Sequence, residues 1–353
     1  GCDVYASDLN PIACMLTWGA FNIIGGTKVD QQHLKESQTA LIERVRAEVD
    51  RLGIESDGKG WRAKAYLYCV EVRCPQTGWM VPLIPSRVIS KPRTGRKINV
   101  MAELVPNPEE KRYEIVIRSG VSKKELEAAK EGTVRSDGRG QDPYLIHTVD
   151  GVEYRAKIST LRGDYRTTDE DTANRLRQWE KRDFVPRPDD LFQERLYCVQ
   201  WMRPRKGRGH HYEFRSVTEA DLERERIVED YVAQRISEWQ VEGWLPDMRI
   251  EPGYNTDQPI RERGWTHWHH LFNPRQLLIA GLVNQLSDAR LKFGLLQLLN
   301  YSSRLSVWDV LSGGGGSVKN TFYNQALNTM FTYGCRALYT ASNNLEIRAK
   351  DCP

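Results

Sequence analysis

At 353 residues and 40.7 kDa, with 40% apolar and 28% charged side chains and a mean hydropathy of −0.59, the chain has an ordinary folded composition, which excludes a collagen, a disordered tail or a membrane protein. Its 51 Lys+Arg against 47 Asp+Glu leave a net charge of +4, which permits a polyanionic partner without demanding one. The longest apolar stretches, around Met15–Ile24 and Leu277–Val283, fall short of the roughly 20 residues a membrane span takes, and seven cysteines without short spacing describe reduced cytoplasmic material with no disulfide framework.

The length allows two domains, or one with a large insertion. The opening Gly1–Asp8 reads as mid-protein sequence, with neither a basic leader nor an apolar signal core, so a fragment is expected. Asp3–Asp8 has a strand pattern ending on a carboxylate, and Asn10-Pro11 then caps and starts a helix through Ile24 that stops at Gly25-Gly26. This strand, turn and helix is the basic step of a Rossmann-like α/β fold. Leu34, Leu41, Ile42, Val45, Val49 and Leu52 recur at helical spacing and predict a second helix over 31–52.

Beyond residue 60 the texture turns β-rich. Strands are expected at 65–72, 80–89, 98–104, 112–118, 152–158 and 196–202, with short helices near 122–130 and 170–181. Thr218-Glu-Ala-Asp221 resembles a capping box and opens a long charged helix through about Glu238. A loop follows over 245–263. Asn273-Pro274 then starts a helix with Leu278, Gly281, Leu282 and Leu286 on its apolar face. Gly313–Gly316 reads as a flexible loop before a last helix over 318–338. The expected organisation is 1–59 as the start of an α/β core, 60–240 as a β-rich α+β insert, and 241–353 as a linker and helical return.

Asp8, at a strand end, is the sharpest candidate: a carboxylate there can accept both ribose hydroxyls of a nucleotide, or it can be a charge stabilised by the helix dipole. Two basic clusters stand out, Arg87-Lys91-Arg93-Arg96-Lys97 and Arg203-Arg205-Lys206-Arg208 with His210 and His211 beyond. On loops such residues track phosphates or lie as solvated cations. Trp201, Tyr212, Trp265 and Trp268 divide between base stacking and core packing. His267, His269 and His270 crowd one turn without thiolates or acids and read as a polar helix entry.

Tyr5–Pro11, Arg73-Cys74-Pro75 with Val81-Pro82-Leu83, Glu131-Gly-Thr-Val134, Tyr212–Arg215, Pro252–Thr256, Leu271-Phe-Asn-Pro-Arg-Gln-Leu277, Tyr301-Ser-Ser303 and Asn320–Phe322 with Gln325–Leu327 occur in one order. They resemble, nearly throughout the chain, the large adenine-specific DNA methylases that carry a zinc-ribbon insert. The resemblance implies a partial Rossmann-like core whose Asp8, Leu9 and Asn10 hold S-adenosylmethionine, the methyl donor. It also implies a DNA partner, for which Arg93, Arg96, Lys97, Arg203, Arg205 and Lys206 of the two basic clusters are the contact candidates. The family's glycine-rich cofactor loop is expected just ahead of Gly1, and its Asp-Pro-Pro-Tyr catalytic loop shortly beyond Pro353. No catalytic residue is therefore assigned within the chain, and the isolated chain is expected to be inactive. Where the family's first cysteine knuckle begins, Cys74 is followed by Gln76-Thr77-Gly78 without a second cysteine. The expectation is a ribbon kept in shape by packing, with no metal. A non-catalytic nucleic-acid-binding or specificity module is the alternative, and an oxidoreductase fragment using Asp8 for a ribose a weaker third.

Overall fold

The structure, a computed structural model, describes residues 7, 9–92, 98–136, 138, 142–168, 172–207, 209–254, 256–288, 290–311, 315–323, 327, 329 and 331–344. Helix α1 (Pro11–Gly19) passes through a π-helical turn (Ala20–Ile24) to α2 (Lys28–Leu52). Strands β1 (Arg62–Arg73), β2 (Met80–Leu83), β3 (Val88–Ser90), β4 (Val100–Asn107) and β5 (Arg112–Ser119) follow. Then come α3 (Lys123–Ala128), β6 (Val134–Arg135), β7 (Tyr144–Val149), β8 (Val152–Lys157), α4 (Ile158–Arg162), β9 (Tyr165–Arg166) and β10 (Thr172–Ala173). The long hairpin of β11 (Phe192–Pro204) and β12 (His210–Ser216) leads into α5 (Glu219–Ala233), α6 (Ile236–Val241), α7 (Asp257–Arg263), α8 (Pro274–Leu286) and α9 (Lys292–Asn300). The last elements are β13 (Trp308–Asp309), β14 (Ser317–Val318), β15 (Thr332–Arg336) and α10 (Leu338–Ala341).

The fold is mixed α and β with a mostly antiparallel main sheet, in the order β12-β11-β1-β2-β5-β4-β3. One edge of β1 pairs with β11 from Arg62 to Val72. Its other edge is shared, with β15 on Ala65–Cys69 and β2 on Val70–Arg73. A parallel contact joins Met80 of β2 to Arg112 of β5. The sheet curls until β5 meets β12, where Ile117 N–H donates to Ser216 Oγ at 2.8 Å. Leu67, Cys69, Ile84, Ile89, Val100, Ile115 and Cys198 pack together as one buried cluster of the sheet. Glu71, fully buried, is held there by Arg112 and Arg195; removing either cation would leave a buried carboxylate short of a partner, which is costly.

A helical layer covers one flank. Its core combines Leu41, Val45 and Val49 of α2, Val228 and Val232 of α5, Trp239 of α6, Leu277, Leu278 and Leu282 of α8, and Leu338 of α10. Thr27 caps α2 and Asn273 caps α8, each as half of a reciprocal capping box. No helix among the described residues is long and apolar enough to cross a membrane.

Several elements depart from expectation. The strand over 3–8 lies outside the described residues, apart from Ser7. The 80–89 strand is two, β2 and β3, parted at Pro85, where Thr133 takes the backbone bonds of Ile84. The described part of the 170–181 helix is not helical: Thr172–Ala173 pair with β9, and beyond them Trp179 N–H goes to Gly264 O. The charged helix breaks after Ala233 into α5 and α6, and the loop over 245–263 ends in α7. The 318–338 helix is replaced by β14, a turn and β15. Of the glycine run, Gly315 and Gly316 are described; both have positive φ, and Gly316 lies against the Trp308 ring, packed and not free. The helical return ends, as described, at α10 and the turn after it; the stretch from there to Pro353 lies outside the described residues.

Candidate nucleic-acid interface

The β11–β12 hairpin carries the second basic cluster. Two glycines with φ of +95°, Gly207 and Gly209, turn the chain, and Arg205 N–H closes the turn on Gly209 O at 3.1 Å. Arg203 pairs across the hairpin with His211, and Pro204 with His210. The Arg203 guanidinium lies 4.5 Å from the Trp61 ring centre, and Arg215 lies 4.6 Å from it. Arg215 is neutralised by Asp57 and Glu213. Arg203, Arg205 and Lys206 are exposed, and among the described residues no ion pair joins them to a carboxylate.

The opposite face of the hairpin carries a separate group of aromatic rings, since Tyr212 pairs with Met202 and Arg203 with His211. Tyr212 is exposed with Lys64 4.7 Å over its ring, and His210 makes ring contacts with both Tyr212 and the exposed Tyr339. Exposed cations at a hairpin tip suit a phosphate backbone. The sequence reading missed Lys64 and Tyr339, because each is a lone residue that joins the face only through pairing of β1 with β11 and β15. Trp201 and Trp265 are buried, so of the four aromatics considered Tyr212 is the one well exposed.

The first basic cluster is less informative. Arg93, Arg96 and Lys97 lie outside the described residues. Arg87 is spent on the carbonyls of Ala128 and Glu131, closing the end of α3. Asp8 is also outside the described residues, and so is Pro353, the position beyond which the resemblance sets the catalytic loop. The described residues therefore assign no catalytic group at that end of the chain. Leu9 and Asn10 are exposed ahead of α1. Asp8, the carboxylate that would accept the ribose of S-adenosylmethionine, and residues 1–6 before it are not among the described residues, so Leu9 and Asn10 alone neither make nor exclude that site.

Zinc is tested by the donors around Cys74. The turn has a tight shape, with Gly78 N–H on Cys74 O, Cys74 N–H on Trp79 O, both at 2.8 Å, and Gly78 at φ +73°. Thr77 stands where a second thiolate would be, and its hydroxyl meets His147 Nε2 at 3.3 Å. His147 Nδ1 faces the Tyr113 hydroxyl at 3.4 Å, while Cys74 is packed among Val72, Trp79 and Val81. This set does not fit a tetrahedral zinc, which needs four close thiolates or imidazoles, and no group of three or more His, Cys, Asp or Glu among the described residues could hold a metal.

The histidine turn is committed to the fold. His270 Nε2–H donates to Glu180 O at 3.0 Å, and its Nδ1 accepts from the backbone N–H of Thr266 and His267. Burial lowers His270 to about 2 and His269 to about 4, so both are neutral and occupied as hydrogen-bonding groups.

The Asn273-Pro-Arg-Gln276 block joins sheet to helices. Arg275 pairs with Glu225 and lies 3.9 Å over Tyr66, while Tyr68 O–H donates to the same Glu225 at 2.7 Å. Asn273 Nδ2 donates to Tyr333 O–H at 3.3 Å, and Tyr333 donates to Glu194, which is held by Arg304 at 2.7 Å. Arg304 is wholly buried and also donates to the carbonyls of His270, Phe272 and Phe184. All four residues of the block are buried. In comparisons with known proteins, no family model, no curated protein and no solved structure matches the chain.

Proposed function

We propose that this chain is the DNA-holding middle of an S-adenosylmethionine-dependent DNA adenine methyltransferase with a partial Rossmann-like core. The order of the sequence blocks supports the enzyme class. The single geometric observation that carries the DNA role is the tip of the β11–β12 hairpin, where the exposed cations Arg203, Arg205 and Lys206 meet no carboxylate among the described residues and Arg203 lies over the Trp61 ring. The phosphate contacts set orientation and salt dependence, and base contacts set the site.

The test is duplex binding by the chain across a salt series. Replacing Arg203, Arg205 and Lys206 together by alanine is expected to weaken binding and to flatten the log–log salt slope by up to about 2.7, at roughly 0.9 per phosphate contact. Wild-type affinity and slope in that variant would remove the hairpin from the interface. A non-catalytic nucleic-acid-binding module is the second reading, and it rests on the same exposed cations of the hairpin. Labelled-methyl transfer from S-adenosylmethionine to adenine in DNA, by the enzyme that contains this chain, separates the two: transfer supports the first reading, and DNA binding without transfer the second.

A further inference from the structure

Arg336 of β15 is a half-buried guanidinium whose counter-ion is missing among the described residues. Its Nη2 donates to Val318 O at 2.8 Å, and the Tyr301 ring lies 4.3 Å from it. Its Nε and Nη1 meet no acceptor among the described residues, yet neither is sealed off from solvent. Burial lowers Arg336 from its ordinary value, and the group that opposes this is Tyr301, not a carboxylate. Elsewhere the fold supplies one: Arg177 has Asp183 and Asp190, Arg275 has Glu225, and Arg304 has Glu194. A cation drawn part-way out of water without an anion beside it costs free energy, which a bound anion would recover.

Arg336 lines a cavity of about 180 Å³ together with Lys64 and Ala65 of β1, Trp308 of β13 and Asn343 beyond α10. Arg336 pairs in register with Ala65, whose small side chain leaves room beside it. The described lining holds two cations and no carboxylate. We propose that this cavity is an anion site that takes a phosphate group, held by Arg336 and Lys64. The guanidinium, steadied by Val318 O and the Tyr301 ring, presents fixed N–H donors, and the ammonium adds a point charge. Two cations around one recess suit a dianion, and the exposed Asn343 carboxamide offers a further N–H at the rim. Ala65 pairs in turn with Gln200, which places the cavity on the face of β11 opposite Arg203. The site is therefore distinct from the cationic hairpin tip and does not depend on the DNA reading. Its phosphate can come free, as a small phosphorylated molecule, or from the backbone of DNA.

The experiment titrates inorganic phosphate into the 353-residue chain, at constant ionic strength set with chloride, and follows both heat and thermal melting. Wild type is expected to show one saturable site and a Tm that rises with phosphate and not with chloride. Arg336→Met is expected to weaken binding at least about tenfold, and Lys64→Met about three- to tenfold. Neither saturable heat nor a rise in Tm in wild type, or an affinity unchanged in either variant, overturns the proposal. Should Arg336→Met fail to fold, Lys64→Met decides alone, since it leaves the Val318 and Tyr301 contacts of Arg336 standing. Replacing Arg203, Arg205 and Lys206 by alanine is expected to leave phosphate binding as in wild type, so failure of the DNA reading and failure of this site are read separately. Duplex binding with and without phosphate identifies the source: an unchanged duplex affinity assigns the site to a free phosphate, and a weakened one to a phosphate of DNA.

Discussion

Glu55 is a carboxyl group in the core, where its Oε1 accepts the Leu338 N–H at 2.7 Å. Burial pushes it up to about 7 from an ordinary 4.5, against the opposing pull of that N–H and of Arg275. A folded-state value above the unfolded one means that its contribution is fully present below about pH 4.5 and is lost as pH rises through 7. Glu55→Gln keeps the acceptor and removes the titration, so the variant is expected to gain on wild type from pH 5 to pH 8, by up to about 3 kcal/mol. Thermal melts across that range check it; a difference that does not grow with pH contradicts the assignment. Arg304 has the opposite character, a cation whose every arm is used. Arg304→Met strands Glu194 and three carbonyls, and a loss of about 3–5 kcal/mol is expected in urea unfolding. Neither role was legible in sequence. Glu55 and Arg304 stand in polar stretches, and their partners, Leu338 and Glu194, are 283 and 110 positions away.

Helix α8 was legible because its signals are local: Asn273 caps, Pro274 starts, and the reciprocal bond with Gln276 needs three residues. The block that opens it is committed to packing, since Asn273, Arg275 and Gln276 are all buried. Strand β15 was not legible. Thr332–Arg336 is short, carries a glycine and an arginine, and is a strand only because β1 offers it an edge. Between elements, Gly281 of α8 meets the buried Trp239 ring of α6, and an added Cβ would overlap that ring. Gly281→Ala gains about 1 kcal/mol of helix propensity and loses about 1–3 kcal/mol to overpacking. A net loss of about 1 kcal/mol is expected by denaturant unfolding, and a stabilised variant would mean that α6 and α8 separate freely.

At the scale of the whole molecule, strands β1 to β12 follow one another between Arg62 and Ser216, and the helices before and after them interlock. The helical core takes side chains from α2, α5, α6, α8 and α10 together, and the Tyr68–Tyr333 ring stack, with centroids 5.1 Å apart, ties β1 to β15. Residues 60–240 expressed alone would expose the Ala65–Cys69 edge of β1, an invitation to pair with another chain. Size-exclusion chromatography is expected to find that piece associated, and the 353-residue chain less so; a monodisperse monomer of 60–240 would mean the edge is protected in another way. The shared edge of β1 also sets a clock. During synthesis Cys69 leaves the ribosome 263 residues before Thr332, its partner in β15 (332 − 69). At about 5–20 residues per second that is roughly 15–50 s of waiting, so half of the central strand's outer edge goes without its native neighbour while most of the protein is made, and the nascent chain must be shielded there by chaperones or by transient pairing of its own.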